Sequence, residues 1–125
     1  MIKSLDHLVL TVADIDRTIA FYTTVLGMRE VQFGDGRIAL QFGTQKINLH
    51  LSGKEFAPHA CRPGPGSADL CFLIDTDLDT TMQHLDAHNI PIELGPVMRT
   101  GAMGDIESLY IRDPDGNLLE LARQK

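Results

Sequence analysis

Leu5-Asp6-His7-Leu8-Val9-Leu10-Thr11-Val12 alternates as a β-strand does: Leu8, Leu10 and Val12 point one way, and His7, Val9 and Thr11 the other. One face of the opening strand therefore carries a histidine. Downstream, Asp14 or Asp16 can cap a helix whose apolar positions Ile15, Ile19, Tyr22 and Leu26 share one stripe, and Gly27 supplies a left-handed stop. That spacing predicts a helix of about thirteen residues. Three short strand patterns follow: Arg29 to Phe33, Arg37 to Phe42 after Gly34-Asp35-Gly36, and Lys46 to Leu51 after Gly43-Thr44-Gln45. The first part of the chain thus reads β-α-β-β-β.

From Gly53 to Ser67 the periodicity lapses into turn-forming residues rich in Gly and Pro, which reads as a linker. The opening order then returns. A strand from Ala68 to Ile74 precedes a helix capped by Asp77 with Leu78, Met82 and Leu85 on its buried stripe, ended by Asn89 and Pro91. Strand patterns Ile92 to Leu94, Glu107 to Arg112 and Asn117 to Ala122 complete the set, the last two joined by the turn Asp113-Pro114-Asp115-Gly116. Residues 1–52 and 68–125 are therefore two βαβββ units flanking a linker over 53–67, within one domain of 125 residues. The fold class expected is α+β, with two curved mixed sheets that leave an open cup.

Composition limits what such a domain can do. The net charge is −6 with eleven Lys plus Arg, so the concentrated positive field that holds a nucleic-acid backbone is missing. No apolar run reaches membrane-spanning length, and Met1-Ile2-Lys3-Ser4 leads straight into strand pattern, so a cytoplasmic protein without a membrane partner is expected. Cys61 and Cys71 are too few and too far apart for a disulfide framework or a CxxC motif, and read as free thiols.

Each helix can cover one face of its own sheet, which leaves the other face for a ligand. The side chains assigned to that second face include His7, Asn48, His50, Asp69, Cys71, Ser108, Tyr110 and Glu120, while the helix-facing set is almost wholly aliphatic. Glu120 stands inside the apolar strand Asn117-Leu118-Leu119-Glu120-Leu121 and needs a cation, either a metal ion or a basic group such as Arg112. Two imidazoles and a carboxylate on one face match the ligands of non-haem iron, manganese, nickel or zinc, and Asp69 can add another oxygen. Tyr110 can donate its phenol to a substrate oxygen. Arg99 and Thr100, beside Gly101 and Gly104, suggest a loop that closes over a carboxylate. His84 and His88 have i, i+4 spacing, but Leu85 stands where a zinc-protease helix carries glutamate, so they read as a solvated helix flank.

The stretches Leu5 to Val12, Phe21-Tyr22, Leu26-Gly27 and Leu109 to Glu120 resemble the vicinal-oxygen-chelate superfamily of glyoxalase I, extradiol dioxygenases, fosfomycin-resistance enzymes and bleomycin-resistance proteins. The resemblance covers both halves and is nearest to small glyoxalase-domain proteins. It implies a divalent ion (Ni, Zn, Mn or Fe) held at the first and fourth strands of each unit, here His7, His50, Asp69 and Glu120. It also implies a small substrate chelated through adjacent oxygens, a lyase or isomerase reaction with Glu120, Asp69 and Tyr110 as catalytic groups, and a homodimer whose sites are shared between chains. Two alternatives come with the family: an iron-dependent extradiol-type dioxygenase, and a metal-free binding protein of the bleomycin-resistance kind. Asp69 departs from the histidine that many members carry on that strand. Val9 replaces the hydroxyl residue of fosfomycin enzymes, which speaks against that activity.

Overall fold

The computed structural model describes residues 1–125. Two compact units, Met1–Gly66 and Ser67–Lys125, have the same element order. In the first, β1 (His7–Val12) leads to α1 (Ile15–Thr24), then β2 (Arg29–Phe33), β3 (Arg37–Phe42) and β4 (Gln45–Leu51). In the second, β5 (Asp69–Leu73) leads to α2 (Leu78–Ala87), then β6 (Leu94–Gly101), β7 (Gly104–Arg112) and β8 (Leu118–Gln124).

Each unit forms an open four-stranded mixed sheet, ordered β1-β4-β3-β2 in the first and β5-β8-β7-β6 in the second. The first and fourth strands run parallel, because the helix intervenes; the others are joined by tight turns and run antiparallel. Leu10, Val12, Leu40, Ile47 and Leu49 form the buried side of the first sheet, together with Phe21 and Tyr22 of α1. Leu109, Ile111, Leu119 and Leu121 do the same in the second, where Leu85 of α2 is also buried. No helix is long and apolar enough to cross a membrane.

Both helix starts follow from their capping aspartates. Asp14 accepts from Arg17 N at 2.9 Å and Asp77 from Thr80 N at 2.8 Å, which satisfies donors that the helix itself leaves open. The first helix is shorter than its apolar spacing suggests, ending at Thr24 with Val25 as cap. The larger difference lies in β6, where the pattern indicates only Ile92 to Leu94. Observed β6 instead runs through Gly95-Pro96 to Gly101, and β7 begins at Gly104. Proline is tolerated there because β6 is an edge strand with a register shift between Leu94 and Val97. The expected closing loop of Arg99 and Thr100 is accordingly the end of a strand in a β-hairpin. The segment after β4 also does more than connect, since Phe56 packs back on His50 and Arg37 within the first unit.

Candidate functional site

In the second unit the parallel and antiparallel ladders place Cys71 and Tyr110 on either side of Glu120. Ser108 Oγ donates to Glu120 Oε2 at 2.6 Å, a short charge-assisted bond that fixes one carboxylate oxygen. The Cys71 thiol lies beside the same carboxylate, Cys71 being the ladder partner of Glu120. Burial first, then the Glu120 charge, push that thiol up to about 11 from its ordinary value, so it stays protonated at neutral pH. Arg99 Nε donates to the Tyr110 hydroxyl at 3.0 Å, which leaves the phenolic proton available to another acceptor. A cavity of about 460 Å³ opens here, lined by Cys71, Leu73, Arg99, Met103, Glu120 and Gln124 among others.

Asp69 lies on the same face, exposed, two residues before Cys71. Arg112 does not neutralise Glu120. Its guanidinium is held by Glu93 through bonds of 2.9 and 3.0 Å, and that pairing raises the Arg112 pKa while lowering that of Glu93.

In the first unit His7 is part-exposed at the start of β1, and its Nδ1 pairs with Asp6 Oδ1 at 2.8 Å. A carboxylate at Nδ1 favours the tautomer whose Nε2 keeps its lone pair, the form in which an imidazole binds a metal. His50 lies elsewhere. It is 3% exposed, stacked edge-on to Phe56 at 5.5 Å between centroids, with Nε2 at 3.5 Å from Arg37. Burial, followed by the Arg37 charge, depresses its pKa, and the ring is neutral at neutral pH.

The parallel register pairs His7 with Lys46, Val9 with Asn48 and Thr11 with His50. Four residues along a strand span about 13 Å, more than two imidazoles bridge around one ion at about 2 Å per bond. The structure thus sets His50 beside Arg37 and Phe56 and away from His7. Comparison of the two units shows which fourth-strand side chain is equivalent to Glu120. Asp69 pairs with Leu118, two residues before Glu120, and His7 pairs with Lys46, two residues before Asn48. Asn48 is therefore the positional counterpart of Glu120, and its buried Oδ1 has no hydrogen-bond partner. Spacing from His7 alone did not reveal this; superposing the repeated strands by their paired residues does.

No group of three or more His, Cys, Asp and Glu side chains in the chain is placed to hold one ion. Each unit offers a pair of donors instead, His7 with Asn48 and Asp69 with Glu120. These donors suit a divalent ion chemically: an imidazole with an oriented free nitrogen, an unsatisfied amide oxygen and two carboxylates, one anchored by Ser108.

The profile of the Glyoxalase/Bleomycin resistance protein/Dioxygenase superfamily matches residues 4–121. The chain belongs to that superfamily. Among glyoxalase-superfamily relatives, the chain is 59% identical over 121 residues to Glyoxalase domain-containing protein RDO1 of Mycosarcoma maydis, spanning 97% of this chain and 68% of that protein. An integron cassette protein from the mobile metagenome of V. cholerae is 58% identical with a TM-score of 0.97, covering 100% of this chain and 98% of that one. Further away, Lactoylglutathione lyase GLX1 of Arabidopsis thaliana is 30% identical over 128 residues, covering 94% of this chain and 43% of that protein. The superfamily's two-unit open-sheet fold is therefore shared along essentially the whole chain.

Proposed function

We propose that this protein is a metal-dependent, glyoxalase-like lyase or isomerase acting on a small substrate held through two adjacent oxygens, such as a hemithioacetal or another 2-oxo compound. The observation that carries this reading is Glu120: a carboxylate on the open face of an otherwise apolar strand, fixed by Ser108 at 2.6 Å and opening on a cavity. The similarity to a lactoylglutathione lyase supports the reaction class.

In this reading the ion is held by His7 and Asn48 of one copy with Asp69 and Glu120 of a second, in a homodimer. Asn48 takes the place first assigned to His50, because the strand register sets it two positions past the partner of His7. A divalent ion (Ni, Zn, Mn or Fe) would supply Lewis acidity to the two substrate oxygens. Once released from the ion, Glu120 would accept a carbon-bound proton at the oxygen not held by Ser108 and return it to the neighbouring carbon. Asp69 stands two positions along the same face as a second carboxylate for that transfer. Tyr110, whose oxygen already accepts from Arg99, directs its own proton to the substrate and fixes its orientation.

Replacing Glu120 by Gln keeps the shape and removes the charge. The expected result is a fall in metal affinity of at least about tenfold by calorimetric titration; an unchanged affinity removes Glu120 from the site. Isomerisation of a hemithioacetal by protein loaded with each of the four metals tests the reaction. Oxygen uptake with a catechol and ferrous protein, without isomerisation, would select the dioxygenase alternative.

A further inference from the structure

The open face of the first unit has an unexpected charge. By ladder register it carries Arg29, Arg37 and Lys46 with His7 and His50, and no Asp or Glu, although the chain as a whole is acidic. Arg29 is occupied by Gln41 at 3.3 Å. Arg37 and Lys46 have no carboxylate partner; they rest on aromatic rings. The Arg37 guanidinium carbon lies over Phe33 at 5.1 Å and over Phe56 at 4.6 Å from the ring centroids, and Lys46 Nζ lies over Phe33 at 3.8 Å. Glu55, the acid of the segment that folds over this face, accepts from the backbone N–H of Gly53.

Two buried polar atoms in the same patch are also unsatisfied: Asn48 Oδ1 on a residue 5% exposed, and His50 Nδ1 on one 3% exposed. With Arg37 facing Nε2, the neutral ring carries its proton on Nδ1, so one atom lacks an acceptor and the other a donor. Of the two, the His50 Nδ1 proton is the one an incoming oxyanion can satisfy, and an orphan of that burial costs about 1–3 kcal/mol.

We propose that this face is a binding subsite for a small organic carboxylate with a flat apolar body, its oxyanion taken by Arg37 with Lys46 in support and its body lodged against Phe33 and Phe56. With two rings against it, the guanidinium offers its N–H edge, and a planar carboxylate pairs with that edge through two parallel bonds. This subsite lies within one unit and needs no metal; it adjoins His7 and Asn48 on the same face, Lys46 being the ladder partner of His7.

The test is an amide-resolved NMR titration of the full chain, stripped of metal by chelator, with benzoate, its neutral isostere benzamide, and inorganic phosphate. Saturable shifts at Phe33, Arg37, Lys46 and Phe56 are expected with benzoate, with benzamide and phosphate each at least tenfold weaker. Arg37→Gln is expected to weaken benzoate at least tenfold and Arg37→Lys to lie between that variant and the parent. Equal binding of benzamide, tighter binding of phosphate, shifts confined to other residues, or no saturation would overturn the subsite. Should Arg37→Gln fail to fold, the benzoate-to-benzamide contrast and the shift map on the parent protein decide it. Failure here leaves the Glu120 metal titration untouched, and failure of that titration leaves this one standing.

Discussion

The placement of Glu120 on the open face was legible in the sequence, since strand alternation sets it opposite Leu119 and Leu121, and Ser108 Oγ meets it there. Which polar side chain of β4 lies nearer His7 was not. Asn48 and His50 share a face by alternation, and only the parallel pairing of β1 with β4, which leaves no local signal, decides which of them lies near His7. His50 has its own measurable consequence. Its folded-state pKa lies below the ordinary value of 6.5, so between those two values the unfolded chain binds more protons than the folded one, and stability falls as pH drops through that window. His50→Gln is expected to flatten this part of the stability curve, read as a smaller loss in urea midpoint between about pH 7.5 and about pH 5.5. A slope as steep as the parent's would mean that the imidazole does not titrate across that interval.

At the level of elements, helices were readable from their caps and stripes, since Asp14 and Asp77 act within one turn of themselves. Strand β6 was obscured because Gly95-Pro96 breaks the local pattern, and its place in the sheet depends on an edge position that only the tertiary fold supplies. Gly95 has a φ of 118°, and a Cβ there would run into the Ser108 carbonyl oxygen. Gly95→Ala is therefore expected to destabilise the protein by about 1–3 kcal/mol, through backbone strain and displacement of β7. A chemical-denaturation midpoint within error of the parent would show that the edge strand yields at no cost. Since Ser108 anchors Glu120, the same variant is expected to weaken metal binding along with stability.

For the whole molecule, the twofold order of elements was visible because the same helix and turn signals recur after residue 67. The proposed sharing of an ion between two copies is tested by mixing the variants His7→Ala and Glu120→Gln. If each site draws one unit from each of two chains, a mixed dimer contains one site with both wild-type donors. Tight metal binding at about half the total sites of those mixed dimers is then expected by titration; sites confined to single chains would show no recovery. The two halves have the same topology but differ on their open faces: cations and imidazoles without an acid in the first, and in the second Asp69 and Glu120 alongside Arg99 and Arg112, which Tyr110 and Glu93 engage. A tandem duplicate of residues 1–66 would keep the scaffold and place no Asp or Glu on the open face of either sheet. Under the proposed function such a duplicate is expected to bind no divalent ion, so the unlike second unit is what a working protein has to retain.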